Sequence, residues 1–241
     1  MHALPLAGDS ISQRLKVLIK VYGNLLQEGA EEGVPVPDTF INTLTCENWE
    51  EMKAQMCFVG ERPSTTNAPS ETIHQDRRLR AYESSAPQMT WTTNGCDRLV
   101  MPGWVRERAA EILFEGDDDM RSVATIVADT LLKCPTDIRT ELAQSILLIG
   151  GTCMLPGFSQ RLLQEIRATL EEAKTYQSIR KLAEMIQCRK SVFAPNCAAW
   201  IGGSLIGALK ITGEDISRTA FMKSPILPDW AVIQSEPSIV R

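Results

Sequence analysis

The sequence predicts an α/β fold, and three features of residues 145–172 carry that prediction. Four apolar residues, Ile146–Ile149, precede Gly150-Gly151, which is typical of a buried strand that ends in a tight turn. Pro156 suits the first turn of a helix, where a missing N–H is tolerated. The apolar residues that follow fall on one helical face: Phe158, Leu162, Leu163, Ile166 and Leu170. This unit often places a nucleotide at the carboxyl end of a strand, although an ordinary strand-to-helix turn has the same pattern.

The two glycines of this turn carry a prediction of their own. We expect Gly150 and Gly151 to adopt backbone conformations, or to lie so close to other atoms, that a Cβ is not tolerated. A valine at position 151 is therefore expected to destabilise the fold by ~1–3 kcal/mol.

The first half of the chain predicts helices separated by polar loops. Ser10–Leu26 has a helical apolar stripe preceded by residues that favour an N-cap. Gly29–Pro37 contains glycine and proline and predicts a loop, and Glu47–Cys57 predicts a short helix. Glu61–Pro87 is polar and contains several prolines, which is typical of a long surface insertion or a disordered loop. Its basic run at 76–80 is either a partner-binding patch or a solvated surface.

The second half predicts a hairpin and then more helices. Asn94-Gly95 between two short β-prone runs, Met89–Trp91 and Arg98–Val100, is typical of a hairpin turn. Ser191–Phe193 is a further strand candidate, and prolines in the tail, Ile211–Arg241, argue against long helices there. Helical segments are predicted at Trp104–Phe114, Arg121–Lys133, Arg139–Ala143, Pro156–Glu172 and Tyr176–Ile186.

Composition excludes several classes of function. The chain has 241 residues, 44% of them hydrophobic, which is enough for one large domain or two small ones. Its net charge of −5 argues against an electrostatic nucleic-acid binder. The 7 cysteines show no CxxC spacing, so we expect reduced, mostly buried thiols and no metal site. The acidic loop Glu115–Asp119 lacks the alternate spacing of a calcium loop. No catalytic motif is found, and we expect no catalytic residues.

Four motifs resemble the actin family. Leu147–Phe158, LLIGGTCMLPGF, is similar to the family's adenosine motif, VLSGGTTMFPGF/I. Asp137-Ile138-Arg139 is similar to the DIR that precedes it, and Ala199–Ser204, AWIGGS, to VWIGGS. Met52–Val59, MKAQMCFV, is similar to IKEKLCYV. The order and spacing of these motifs agree over nearly the whole chain.

A more specific resemblance is to the actin-related subunit at the pointed end of dynactin. It is carried by Ala3–Gly8, Glu111–Glu115, the motif Leu148–Phe158 and Pro228-Asp229-Trp230. The resemblance implies a non-catalytic scaffold whose partners are dynactin's actin-like filament and its pointed-end subunits. It implies a cytoplasmic, cytoskeletal location and a role in dynein-driven transport on microtubules, with no nucleic acid and no direct membrane contact.

The resemblance also implies a degenerate adenosine site. Its residues are Lys53, Gly150, Gly151, Thr152 and Met154. This sequence departs from the family pattern at three positions. Leu155 replaces a tyrosine, Asn196 replaces a lysine and Ala54 replaces a glutamate. Each lost contact is worth ~1–3 kcal/mol of binding. The expected cofactor is therefore none, or weakly bound ATP or ADP.

Neither of the family's DxG phosphate hairpins is found in this sequence. We therefore expect an actin-like C-terminal lobe alone, a mixed sheet flanked by helices. In that sheet Ile146–Ile149 is expected in the interior, with one neighbouring position left unpaired. The expected divisions are the start of the second lobe (1–20), a subdomain-4-like part (21–110, with loop 61–87), a subdomain-3-like part with the adenosine motif (111–210) and a tail (211–241). Two alternatives remain: an adenine-nucleotide-binding ATPase of the actin superfamily, and a nuclear actin-related protein of a chromatin-remodelling complex.

Overall fold

The structure is a computed structural model that describes residues 3–26, 32–62, 86–92, 97–117, 119, 121–209 and 216–226. Contacts divide the chain into two units, Met1–Ala198 and Ala199–Arg241. The subdomain divisions expected from the sequence stay predictions. The basic run at 76–80, the Asn94-Gly95 turn and the motif Pro228-Asp229-Trp230 lie outside the described residues.

Amphipathic helices supply most of the described secondary structure. In the first unit they are α1 (Gly8–Tyr22), α2 (Asp38–Thr43), α3 (Cys46–Met56), α4 (Gly103–Glu115), α5 (Val123–Lys133), α6 (Arg139–Ala143) and α7 (Phe158–Glu172). A 3₁₀ turn, Thr152–Met154, precedes α7, and a 3₁₀ segment, Lys174–Met185, follows it. The remaining helices are α8 (Ala198–Leu209) and α9 (Arg218–Lys223).

The limits of these helices have local causes. The Thr45 hydroxyl caps α3 by accepting the Asn48 N–H, and the Ser122 hydroxyl caps α5 in the same way, each at 3.3 Å. The prediction that the first helix extends to Leu26 is wrong. It ends at Tyr22, where the N–H of Gly23 donates to Ile19 O at 2.8 Å, and the next residues form a strand.

Four short strands form an antiparallel sheet in the order β2-β1-β4-β3. They are β1 (Asn24–Leu26), β2 (Val34–Pro35), β3 (Met89–Thr92) and β4 (Arg98–Met101). The predicted pairing of the hairpin strands is confirmed, with Trp91 opposite Leu99. The predicted loop at 29–37 contains β2, because Val34 pairs with Leu25 across the sheet.

The strand before the double glycine is shorter and more exposed than the sequence predicts. Only Ile146–Leu147, β5, is a strand, and it pairs in parallel with β6 (Cys188–Arg189). Within the described residues β5 has this one neighbouring strand, and Leu147 and Ile149, which follows the strand, are 55% and 56% exposed. The interior position expected for Ile146–Ile149 is therefore wrong, and the strand expected at 191–193 is replaced by β6.

One continuous core supports the first unit. The apolar face of α1, including Ile11, Leu15 and Leu18, is fully buried and contacts α4. Tyr22 and Trp104 meet edge to face between these helices, with ring centroids 4.6 Å apart. The apolar face of α7 packs on α5 and on the 3₁₀ segment. The structure combines these helices with one antiparallel sheet and one parallel pair of strands, which confirms the predicted α/β class.

Three further expectations concern membranes, metals and thiols. None of the helices in the described ranges is long and apolar enough to cross a membrane. Those ranges contain no group of three or more His, Cys, Asp or Glu side chains placed to hold a metal ion. The cysteines that the structure describes are free. Cys57 is buried, which raises the pKa of its thiol to about 12, but Cys46 and Cys197 are exposed, so the expectation of mostly buried thiols is wrong.

Candidate functional site

The turn after β5 faces α3 and the start of α1 across a cavity of about 300 Å³. This volume is at the lower end of the range for small-molecule sites, ~300–1,000 Å³. The cavity is lined by Gly8, Glu50, Lys53, Ala54, Gly151, Thr152 and Leu155. Three segments that are distant in sequence therefore meet at the double-glycine turn.

Lys53 is held by the protein itself. Its ammonium donates to the carbonyl of Gly8 at 3.1 Å, to the hydroxyl of Ser12 at 3.2 Å and to Glu50 Oε1 at 2.5 Å. An ammonium has three N–H donors, so all of them are used. The side chain is 10% exposed and links α3 to α1. Lys53 thus has no donor left for a ligand unless one of these bonds breaks.

Glu50 brings a carboxylate to the same cavity. Its Oε1 accepts from Lys53 and, at 3.4 Å, from the Ser12 hydroxyl. Among the described contacts no hydrogen bond reaches Glu50 Oε2 or the hydroxyl of Thr152. Of the described residues that line the cavity, Lys53 and Glu50 carry the charges, and they cancel. The polar side-chain groups open to a ligand are therefore a carboxylate oxygen and a hydroxyl.

The structure brings together only part of the site predicted from the sequence. Lys53, Gly151 and Thr152 line the cavity. Gly150 and Met154 do not line it, and the Met154 residue is 50% exposed. Two of the three departures from the family pattern, Ala54 and Leu155, form part of the lining. The cavity wall is therefore less polar where this chain departs from its family.

The sequence analysis missed Glu50 and Gly8. A signal for Glu50 was present, because it lies three residues before Lys53 on a predicted helix, and residues at that spacing share a face. The contact of Gly8 with the turn had no such local signal, since it depends on the packing of α1 against α3.

The two glycines of the turn differ in conformation, and only Gly150 agrees with the expectation. Gly151 has helical backbone angles, φ −68° and ψ −36°, and a Cβ there would meet no described atom within 4 Å. The prediction that position 151 excludes a side chain is therefore wrong. Gly150 has φ +102°, the left-handed region that favours glycine, as the sequence analysis predicted for it.

Within the motif Leu147–Phe158, the glycine with the tightest surroundings is Gly157, which the sequence analysis did not single out. Its φ is +82°, and a Cβ there would lie 2.2 Å from the carbonyl oxygen of Val59. The Val59 N–H donates to the carbonyl of Pro156 at 2.8 Å. The helix α7 begins at Phe158, so Pro156 lies before it. The prediction that Pro156 occupies the first turn is therefore wrong.

A buried arginine fixes the loop that follows α3. Arg161 of α7 makes two hydrogen bonds of 2.9 Å to the carboxylate of Glu111 on α4. It also donates to the carbonyls of Gly60 and Glu61 at 3.0 Å and to Glu165 at 2.7 Å. Burial raises the pKa of Glu111, and the Arg161 guanidinium opposes that shift. Arg161 thereby holds the loop, α4 and α7 together.

An adenine nucleotide is the ligand that the resemblance implies, and the cavity suits one part of it. Leu155 and Ala54 offer apolar surface, and Thr152 offers a hydroxyl, so an uncharged group fits this lining. Phosphate groups need cations or N–H donors, but the ammonium of Lys53 is fully engaged and Glu50 adds a negative charge. No cation among the described lining side chains is therefore available to a phosphate group.

The comparisons with known proteins agree on one family. A family model described as actin matches residues 2–218. Actin-related protein 10 of Dictyostelium discoideum is 37% identical over 120 residues, 45% of this chain and 25% of the relative. Actin-related protein 4 of Yarrowia lipolytica is 30% identical over 162 residues, 66% of the chain and 34% of the relative. An actin-like protein of Caenorhabditis elegans is 35% identical over 91 residues, 36% of this chain and 20% of the relative.

Each of these matches covers only a minor part of the relative's length. They span a fifth to about a third of the length of the relatives. The departures at the cavity lie inside the residues that the family model matches, so they are changes within the family's own fold.

Proposed function

This chain belongs to the actin family, and we propose that it acts as a non-catalytic scaffold subunit of dynactin, at the pointed end of its actin-like filament. Its partners are then the filament and the pointed-end subunits, with no nucleic acid and no direct membrane contact. Its location is the cytoplasmic cytoskeleton, and its role is to support dynein-driven transport on microtubules. The motifs shared with that subfamily and the similarity to actin-related protein 10 support this proposal.

The observation that carries the non-catalytic part is the engagement of Lys53. Phosphoryl transfer depends on cations and N–H donors that stabilise charge on the phosphate oxygens. In this cavity the ammonium is committed to Gly8, Ser12 and Glu50. The carboxylate of Glu50, which also lines the cavity, repels a triphosphate. Tight ATP binding and hydrolysis are therefore not the function we propose.

A second candidate is a subunit of a nuclear chromatin-remodelling complex. It is favoured by the match to actin-related protein 4, which covers more of this chain than the match to actin-related protein 10 does. An adenine-nucleotide-binding ATPase of the actin superfamily is the third alternative, and the charge balance of the cavity argues against it.

Affinity purification separates the first two candidates. The full-length protein is tagged and recovered from a cell extract, with tagged conventional actin from the same cells as the control. We expect the dynactin subunits to be enriched over the control, since a scaffold at the filament end contacts several of them. Enrichment of chromatin-remodelling subunits in place of dynactin would contradict the proposal.

A further inference from the structure

We infer that Arg106 bridges the two stretches of chain on either side of residues 63–85, so that the first unit folds without that segment. Residues 63–85 lie outside the described ranges, and the inference rests on the residues that flank them. The two flanks are 56–62 and 86–87. The inference goes beyond the proposed function, which makes no use of Arg106.

One guanidinium group contacts both flanks. The Nε of Arg106, on α4, donates to the carbonyl of Met56 at 2.8 Å, and its Nη1 donates to the carbonyl of Pro87 at 2.8 Å. The guanidinium carbon also lies 5.3 Å from the centroid of the Phe58 ring. Because a guanidinium is planar and rigid, these two hydrogen bonds fix the separation of the two flanks.

The first half of α4 supports both flanks side by side. A Cβ added at Gly103 would overlap the carbonyl oxygen of Ala86, and a Cβ added at Gly60 would overlap the carboxylate of Glu107. Residues 103 and 107 are one helical turn apart on the same face of α4. The chain therefore returns at Ala86 to the helix that it contacts at Gly60.

The flanks are also held by contacts with α7 and with the antiparallel sheet. Gly60 and Glu61 accept hydrogen bonds of 3.0 Å from Arg161, and the N–H of Arg62 donates to Gln164 Oε1 at 3.2 Å. The second flank leads directly into β3, which pairs with β4. These bonds have both partners within the described residues, so they need no contribution from the segment between the flanks.

A segment whose ends are held together can be shortened at little cost to the fold. The entropy of closing a loop changes only with the logarithm of its length. Whether a change of length is tolerated depends on the burial and the hydrogen bonding of the affected backbone. We therefore expect the position of the flanks to depend on Arg106 and not on residues 63–85.

Urea denaturation of the full-length protein tests the inference in two backgrounds. One background is the unmodified protein, and in the other a glycine-serine linker of about eight residues replaces residues 63–85. Arg106→Met is introduced into both. Arg139→Met is the matched control, because Arg139 also donates to two carbonyls, those of Leu132 and Cys134, which belong to neither flank.

We expect the shortened protein to fold and to have a urea midpoint no lower than that of the unmodified protein. Arg106→Met should lower the midpoint in the unmodified background, because the flanks lose their bridge. In the shortened background its effect should be half as large or less, since the linker keeps the flanks together covalently. Arg139→Met should lower the midpoint equally in both backgrounds.

Two results would overturn the inference. The first is a shortened protein that does not fold, which would show that the fold needs residues 63–85. The second is an equal effect of Arg106→Met in the two backgrounds, including no effect in either or no folded protein in either. An arginine that only packs against its neighbours would give that second result. Neither result depends on the recovery of dynactin or on ATP hydrolysis, so the proposed function is tested separately.

Discussion

Gly157 and Gly151 show how backbone conformation decides which glycine matters at the scale of a residue. Both lie in the motif that resembles the adenosine motif, yet only Gly157 combines a positive φ with close backbone contact. The motif alone gives both positions the same residue type. The distinction depends on Val59, which is almost a hundred residues away in sequence, so local reasoning does not reach it.

Alanine substitutions at the two positions test this distinction. We expect Gly157→Ala to lower the free energy of unfolding by about 1–3 kcal/mol, because a Cβ at φ +82° is strained and meets the Val59 carbonyl. Gly151→Ala is the matched control and should change it by no more than ~0.5 kcal/mol. Urea denaturation measures both. Equal midpoints for the two variants would show that the turn does not have the described conformation.

Site residues were predictable only where a motif or a helical spacing marks them. Lys53 and Thr152 were found through the resemblance, and the structure places both at the cavity. Glu50 was missed even though its spacing from Lys53 is a sequence signal. Met154 was predicted through the same resemblance, but its side chain does not line the cavity.

At the scale of elements, one buried ion pair joins α7, α4 and the loop after α3. Arg161 is 3% exposed and Glu111 is 7% exposed. Removing one partner of a buried pair leaves the other charge without compensation. Arg62 offers a comparison, because it pairs with Glu165 and Glu172 of α7 and its side chain is 29% exposed.

Methionine substitutions separate the two arginines. We expect Arg161→Met to lower the free energy of unfolding by about 3–5 kcal/mol, since Glu111 is left buried and unpaired. Arg62→Met should cost less, about 1 kcal/mol, because its ion pairs are partly exposed to water. Guanidinium denaturation gives both values, and the double variant Arg161→Met/Glu111→Leu should recover part of the loss. Similar costs at positions 161 and 62 would contradict the central role of Arg161.

Helices were predicted better than strands, and the reason is physical. The apolar stripe of α7 is a local pattern, so its helix could be predicted to within two residues of its start. The strands are two to four residues long, and their limits depend on partners elsewhere in the chain. β5 ends at Leu147 because β6 pairs with only two of its residues.

At the scale of the whole molecule, composition and motif order together predict the α/β class and the actin family. The family model covers residues 2–218, which agrees with the spread of the four motifs along the chain. Sequence patterns did not predict the balance of charge at the cavity, because that balance arises from the meeting of α1 with α3. This balance is the reason we propose a scaffold and not an ATPase.

Calorimetry of the full-length protein with ATP and magnesium, paired with an assay of phosphate release, tests that central claim most directly. Because Lys53 has no available donor and Glu50 faces the cavity, we expect a dissociation constant no tighter than ~0.1 mM, which corresponds to roughly −5 kcal/mol. Phosphate release should not exceed that of buffer. A submicromolar dissociation constant accompanied by hydrolysis would contradict the account.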